Sequence, residues 1–257
     1  MRIDRLIIIS VAVTVSCGTK TPPQKTETRL NEIVLVNAGG QRCEVGEMID
    51  LISESEPKAI GINFLYIDER TGRCDTILRQ AISNSGKVIL VEGFENGKHI
   101  TSNESFLNAA MLSGPTGLSK NENEVTDSYY RLIDHRGKWE YSFPFHLALQ
   151  FDPTQDSELA SKSFPKDYPI RFYHSTDDFK VIDGLKGVQD NRGLFKGKIV
   201  LIGSMGQAVD NIFKTPVTEK SSDKSFGTVI IANVILDILK DLDTKFIKEQ
   251  QKTKNKE

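Results

Sequence analysis

Apolar residues along the chain gather in short, β-branched runs separated by stretches of helical spacing. Ile33-Val34-Leu35-Val36, Ala59-Ile60-Gly61-Ile62-Asn63-Phe64 and Lys87-Val88-Ile89-Leu90-Val91 show almost no alternation with polar residues. Such runs predict strands buried on both faces. Between them, Met48, Ile49 and Ile52, then Ile77, Leu78, Ala81 and Ile82, repeat at helical intervals. Strand, helix, strand, helix, strand predicts a parallel sheet with crossover helices. A further helix is expected over residues 104–111, with Phe106, Leu107, Ala110 and Met111 on one face and Gly114-Pro115 as its stop.

The centre of the chain is less regular. Residues 129–133 and 139–141 flank the turn-like His135-Arg136-Gly137-Lys138, which predicts an antiparallel hairpin. Ser142 is placed to cap a helix with Pro144 in its first turn and Phe145, Ala148 and Leu149 inward. Residues 170–173 read as a strand, and Ile199-Val200-Leu201-Ile202-Gly203 is the strongest strand signal of all. A last helix over residues 229–242 aligns Ile231, Ile235, Ile238, Leu239 and Leu242, while Asp237, Lys240, Asp241 and Asp243 argue against a membrane span. The fold class expected is α/β: a single domain with a mainly parallel central sheet flanked by helices and a small antiparallel hairpin insertion.

The ends change the picture. Leu6 to Val15 is an apolar run too short to span a bilayer and suited to the core of a secretory signal, and Ser16-Cys17-Gly18 resembles the lipobox of bacterial lipoproteins, with Thr14 at a place that usually holds Leu, Val or Ile. Residues 1–17 are therefore expected to be a signal ending at a lipidation site, Cys17; the alternatives are an uncleaved anchor or a buried strand. Residues 18–31, with Pro22-Pro23 and no apolar periodicity, read as a tether, residues 32–243 as the folded domain, and residues 244–257 as a charged tail. Export makes Cys43 and Cys74 a possible disulfide pair, each following a strand-like run, although two separate thiols fit the sequence equally well.

Composition is that of a globular chain, 38% hydrophobic and 26% charged, and a net charge of -2 gives no electrostatic case for nucleic acid. His99, His135, His146 and His174 have no metal-ligand spacing, and Gly203-Ser204-Met205-Gly206 matches neither a nucleophile elbow nor a phosphate loop. No catalytic residue, metal site or cofactor is expected, and the chain is read as a non-enzyme. Tyr129, Tyr130 and Trp139 are expected to pack the hairpin onto the core rather than line a ligand pocket. In an open parallel sheet the ligand crevice lies beyond the carboxyl ends of the strands, where Asn37, Asn63, Gly203, Ser204 and Asp210 fall. These residues and Thr215 are the candidate ligand-binding set, against the plainer reading that Asp210 and Thr215 only satisfy backbone groups in a long loop.

Residues 195–203 (FKGKIVLIG), then Asp210, Thr215-Pro216, Phe226-Gly227 and Ala232-Asn233, together resemble the CHASE2 domain, an extracellular sensory module of bacterial signalling proteins. Residues 33–37 and 59–63, Asp75, the helix 77–82 and Arg131 are similar to its earlier parts. Asn37 and Asn63 stand where that family often has Asp, and Ile231 where a His commonly precedes Ala-Asn. Members usually continue into transmembrane helices and an output domain, whereas this chain ends after its last helix. The resemblance thus implies an exported sensory or ligand-binding lipoprotein in the cell envelope, held by its lipid on the periplasmic or extracellular side. It would bind an unidentified small ligand and signal through a separate membrane signalling protein, with no nucleic-acid partner. The alternative is a structural or assembly lipoprotein whose domain binds no ligand.

Overall fold

A computed structural model describes residues 29–70, 72–95, 98–135, 137–151, 167–171, 174–206, 212–216 and 225–254. Cys17 and Asp210 lie outside these residues. The strands are β1 (Ile33–Asn37), β2 (Ala59–Ile62), β3 (Val88–Glu95), β4 (Lys98–Ile100), β5 (Leu112–Pro115), β6 (Leu118–Lys120), β7 (Thr126–Tyr130), β8 (Leu132–His135), β9 (Lys138–Tyr141), β10 (Asp167–Pro169), β11 (Lys180–Asp183), β12 (Ile199–Gly203), β13 (Ile212–Phe213) and β14 (Ser225–Phe226). The helices are α1 (Arg42–Ser53), α2 (Arg73–Ser85), α3 (Glu104–Leu107), α4 (Phe143–Phe151), α5 (Gly184–Asp190) and α6 (Gly227–Lys254).

The chain is mixed α/β, and its main sheet is mostly parallel. The strand order β11-β1-β12-β2-β3-β5 is parallel throughout, and β4 folds back antiparallel on the far end of β3. Side chains of each strand alternate between the faces, so the unbroken apolar runs feed two cores. Ile33, Leu35, Ala59, Ile89, Val91, Ile199 and Leu201 pack with α4 and α6. Val34, Val36, Ile60, Ile62, Val88, Leu90, Val200 and Ile202 pack with α1, α2, α3 and α5.

Four expectations are corrected. The helix expected over 104–111 stops at Leu107, and Gly114-Pro115, read as its stop, lies in β5 beside β3. Pro is tolerated there because an edge strand has one unpaired side. Tyr129 and Tyr130 belong to β7, which pairs with β6 and β10, and the hairpin proper is β8–β9, with Leu132 opposite Tyr141. The strand expected at 170–173 is instead Asp167–Pro169, antiparallel to β7; residues 172–173 lie outside the described set. Ser142 Oγ is buried without a hydrogen-bond partner, and its carbonyl, not its side chain, meets α4 by accepting from His146 N at 2.9 Å. β11 had no apolar signature because it is an edge strand in which only Ile182 is buried.

Two polar devices hold the layers together. At the starts of α1 and α2, adjacent residues make a double link: Cys43 and Cys74 are disulfide-bonded, with Cα atoms 4.5 Å apart, and Arg42 Nη1 donates to both Asp75 carboxylate oxygens at 2.5 and 2.6 Å. Arg42 also donates to Asp68 O and lies over the rings of Tyr66 and Phe106. Burial alone raises the Asp75 pKa, but hydrogen bonds from Arg42 and the Arg70 N–H, with both positive charges, bring it below the ordinary carboxylate value. The helices approach closely at Gly46, where a Cβ would lie 2.8 Å from Ile77 Cγ2.

The second device joins α6 to the β7–β10 insertion. Arg131, 3% exposed, donates to Asp241 and to Tyr129 Oη and lies 4.0 Å from the Tyr168 ring centre. One turn earlier, Asp237 is buried. Its Oδ2 accepts the Arg171 N–H at 2.9 Å, whereas Oδ1 has no partner among the described residues. Burial pushes the Asp237 pKa up to about 6, with the Arg171 hydrogen bond opposing the rise.

A carboxyl whose folded pKa exceeds its unfolded value binds more protons when folded, so stability falls as pH rises from about 4 through about 6 and stays lower above. Asp237→Asn should therefore stabilise the protein at pH 7.5 by on the order of 2 kcal/mol, with the gain vanishing near pH 4. Urea unfolding of both proteins across this range measures it, and an equal effect at both ends would contradict the assignment.

Candidate functional site

The carboxyl ends of the parallel strands converge on the amino end of α6. Asn37 closes β1, with Nδ2 donating to Asp183 Oδ1 at 2.9 Å and Oδ1 accepting the Met205 N–H at 2.8 Å. Asn63 follows β2; its N–H donates to Ile202 O and its Nδ2 to Thr228 Oγ1 at 3.1 Å. Gly203 closes β12 and accepts the Ala38 N–H. A Cβ there would stand 2.2 Å from Thr228 Oγ1, so only glycine lets the first turn of α6 sit against the sheet. Ser204 is buried beside them.

Of the sequence-derived set, the structure thus brings together Asn37, Asn63, Gly203 and Ser204. Thr215 is separate: it is fully buried, with Oγ1 3.4 Å from Ser225 Oγ, and follows Lys214, whose carbonyl accepts the Thr126 N–H. Asp210 is among the residues not described.

Next to this junction a cleft of about 480 Å³ opens over the ends of β2 and β3. Of the described members of the expected set, Asn63 lines it, beside Glu92, Thr116, Lys120 and Thr126 and the apolar Phe64, Leu65 and Phe213. Glu92 is 6% exposed, with Oε2 2.6 Å from His99 Nε2, and the His99 ring stacks at 5.1 Å on Phe94. Thr126 Oγ1 is buried without a hydrogen-bond partner.

A second cleft of about 330 Å³ shares Phe94, Thr116 and Leu118 with the first, so the two adjoin; together they are called the trough, with an inner and an outer part. Tyr130 and Trp139 line this outer part, against the expectation that they pack the core; of the three aromatics only Tyr129, 1% exposed, does so. For Trp139 the physical reason is that, among the described residues, β8 and β9 pair only with each other, leaving it on a ribbon 41% exposed.

Glu92 and His99 were not singled out from the sequence. Glu92 could have been, since it is the first polar residue after the apolar run 88–91, as Asn37 is after 33–36, although its strand continues to Glu95. His99 had no such signal, because its place depends on the return of β4 along β3. Among the described residues, no group of three or more His, Cys, Asp or Glu is arranged to hold a metal ion. What the arrangement can do is bind: a polar floor meets an aromatic wall in a concave trough.

The CHASE2 domain family model matches residues 36–255. No curated protein and no solved structure matches the chain.

Replacing Gly203 by Ala should force Thr228 and the start of α6 off the sheet and lower stability by about 2 kcal/mol. The double variant Gly203→Ala/Thr228→Ser, which removes the threonine methyl group but keeps the hydroxyl in the way, should recover little of this loss, whereas Gly203→Ala/Thr228→Gly should recover more than its separate effects predict. A double-mutant cycle by thermal melting reads the coupling, and simple additivity would contradict the contact.

Proposed function

The chain belongs to the CHASE2 domain family of extracellular sensory domains, and on that premise we propose that it is an exported, lipid-anchored, non-catalytic sensor that binds a small ligand in the trough and signals through a membrane partner. The extracellular character of the family supports an envelope location. The short apolar run and the Ser16-Cys17-Gly18 sequence support lipidation at Cys17, with residues 18–31 as the tether.

The single observation that carries the ligand reading is the hydrogen bond from Asn63 to Thr228, because Asn63 lines the trough and Thr228 opens the 28-residue helix α6. A ligand that recruits the Asn63 amide competes with this bond. Binding is thereby coupled to the seating of a long helix, and a ligand acts as a signal only if it distinguishes two such arrangements.

A structural or assembly role is the second reading. It is favoured by the way Asn37 spends both ends of its amide inside the fold, on Asp183 and Met205, instead of presenting them to a ligand.

Fractions of envelope extract, screened by thermal melting of the purified domain, should include one that raises Tm, and Asn63→Ala should abolish that rise whatever it does to the basal Tm. If no fraction raises Tm, the ligand reading fails and the structural one stands. Separately, in-cell crosslinking of the full chain should capture a multi-pass membrane protein with a cytoplasmic signalling domain, and Cys17→Ser should release the protein from membranes. Capture of envelope scaffold proteins alone would instead support the structural role.

A further inference from the structure

The outer part of the trough has a chemistry of its own. Phe94, Tyr130 and Trp139 supply three aromatic rings, Leu132 and Ile133 supply apolar surface, and among the described residues that line it Asp134 is the one that carries a charge. Asp134 and Trp139 are direct cross-strand partners in β8–β9, which sets carboxylate and indole side by side on one face of the ribbon. Phe94 is braced from behind by the His99 ring, itself anchored on the buried Glu92 carboxylate.

Trp139 is 41% and Phe94 50% exposed, so two large rings each keep part of their surface in contact with solvent beside a concavity. Rings present electron-rich faces to a cation, and a neighbouring carboxylate adds Coulombic attraction where the apolar walls reduce the local dielectric. Among the described lining residues the one basic group, Lys120, belongs to the inner part and is hydrogen-bonded to Glu124 at 3.0 Å. One Asp134 oxygen accepts the Gly137 N–H at 2.8 Å to shape the turn, a bond that an asparagine oxygen also makes.

From this juxtaposition we infer that the outer trough is a subsite for a small organic cation, an ammonium group carrying apolar substituents. The inference rests on the sensory reading of the trough and names the ligand class that reading leaves open. The apolar walls take the substituents, the rings and Asp134 take the charge, and the polar inner part, with Asn63 and Glu92, takes any hydrogen-bonding end of the molecule. A fully hydrated inorganic cation gains nothing from such walls, and an anion is repelled by Asp134.

Trp139 is the chain's single tryptophan, so its fluorescence reports on this subsite directly. The full-length protein is titrated with choline and tetraethylammonium, and with 3,3-dimethylbutanol as the neutral isostere of choline. The expected result is a saturable change with the cations and at least roughly tenfold weaker binding of the isostere. Asp134→Asn, which keeps the turn, should weaken the cations roughly tenfold and leave the isostere unchanged; Phe94→Leu should weaken the cations several-fold.

Equal binding of cation and isostere, or no effect of Asp134→Asn, overturns the cation assignment while leaving the trough a ligand site. Absence of any saturable change with the cations overturns it as well. In that case the extract-fraction melts, which assume no ligand class, decide separately whether the trough senses anything. Circular dichroism and melting of each variant separate lost binding from lost folding.

Discussion

The main sheet depends on the late insertion of one strand. β12 lies between β1 and β2, hydrogen-bonded to both along Ile199–Gly203, so the two strands that are formed first in the sequence never pair with each other. Until residues 199–203 are in place, the backbone groups of β1 and β2 facing that gap have no partners, and unpaired buried backbone groups are costly. All five residues of β12 are buried, contributing to both cores at once. The sheet therefore closes through contacts about 140 to 170 residues apart in sequence, the kind of topology in which loop-closure entropy is met before the contacts that offset it.

The same insertion builds the end of the molecule that carries the candidate site. With β12 central, its terminal Gly203 stands between Asn37 and Asn63, and the absence of a side chain there admits Thr228 and the start of α6. Polar residues where the apolar runs stop then divide into two groups. Asn37 and Ser204 are absorbed by the junction, while Glu92 and Asn63 border the trough, and Asn63 belongs to both. A hydrogen bond that couples a cleft to a long helix is a physical basis for a sensory domain, because it gives a ligand something to change.

The outlying parts are held by charge and covalent chemistry where apolar area is small. The disulfide and the Arg42–Asp75 pair act at adjacent positions on α1 and α2, and in the loop-closure model the disulfide contributes roughly 3 to 4 kcal/mol over its 31-residue separation. Such a bond persists in the oxidising surroundings expected of an extracellular family. Arg131 fixes the antiparallel insertion to α6 through Asp241 and Tyr168, and this keeps Tyr130 and the β8–β9 ribbon beside the trough.

The sequence by itself determined the parallel core, since runs such as 33–36, 88–91 and 199–203 are buried on both faces and that burial is written in their composition. It also determined the family, and it placed Asn37, Asn63, Gly203 and Ser204 at one end of the sheet, because a strand's carboxyl end can be read from where its apolar run stops. Tertiary structure alone decided which of these residues borders the cleft. Whether an amide is spent on a neighbour or offered to a cleft depends on which strands lie side by side, and strand order is not encoded in periodicity. It likewise decided the short edge strands β5 and β11, whose hydrogen bonds come from a neighbour rather than from their own pattern. The exposure of Trp139 has the same origin: a two-stranded ribbon shows water or core according to what packs on it, and nothing local to residues 132–141 specifies that.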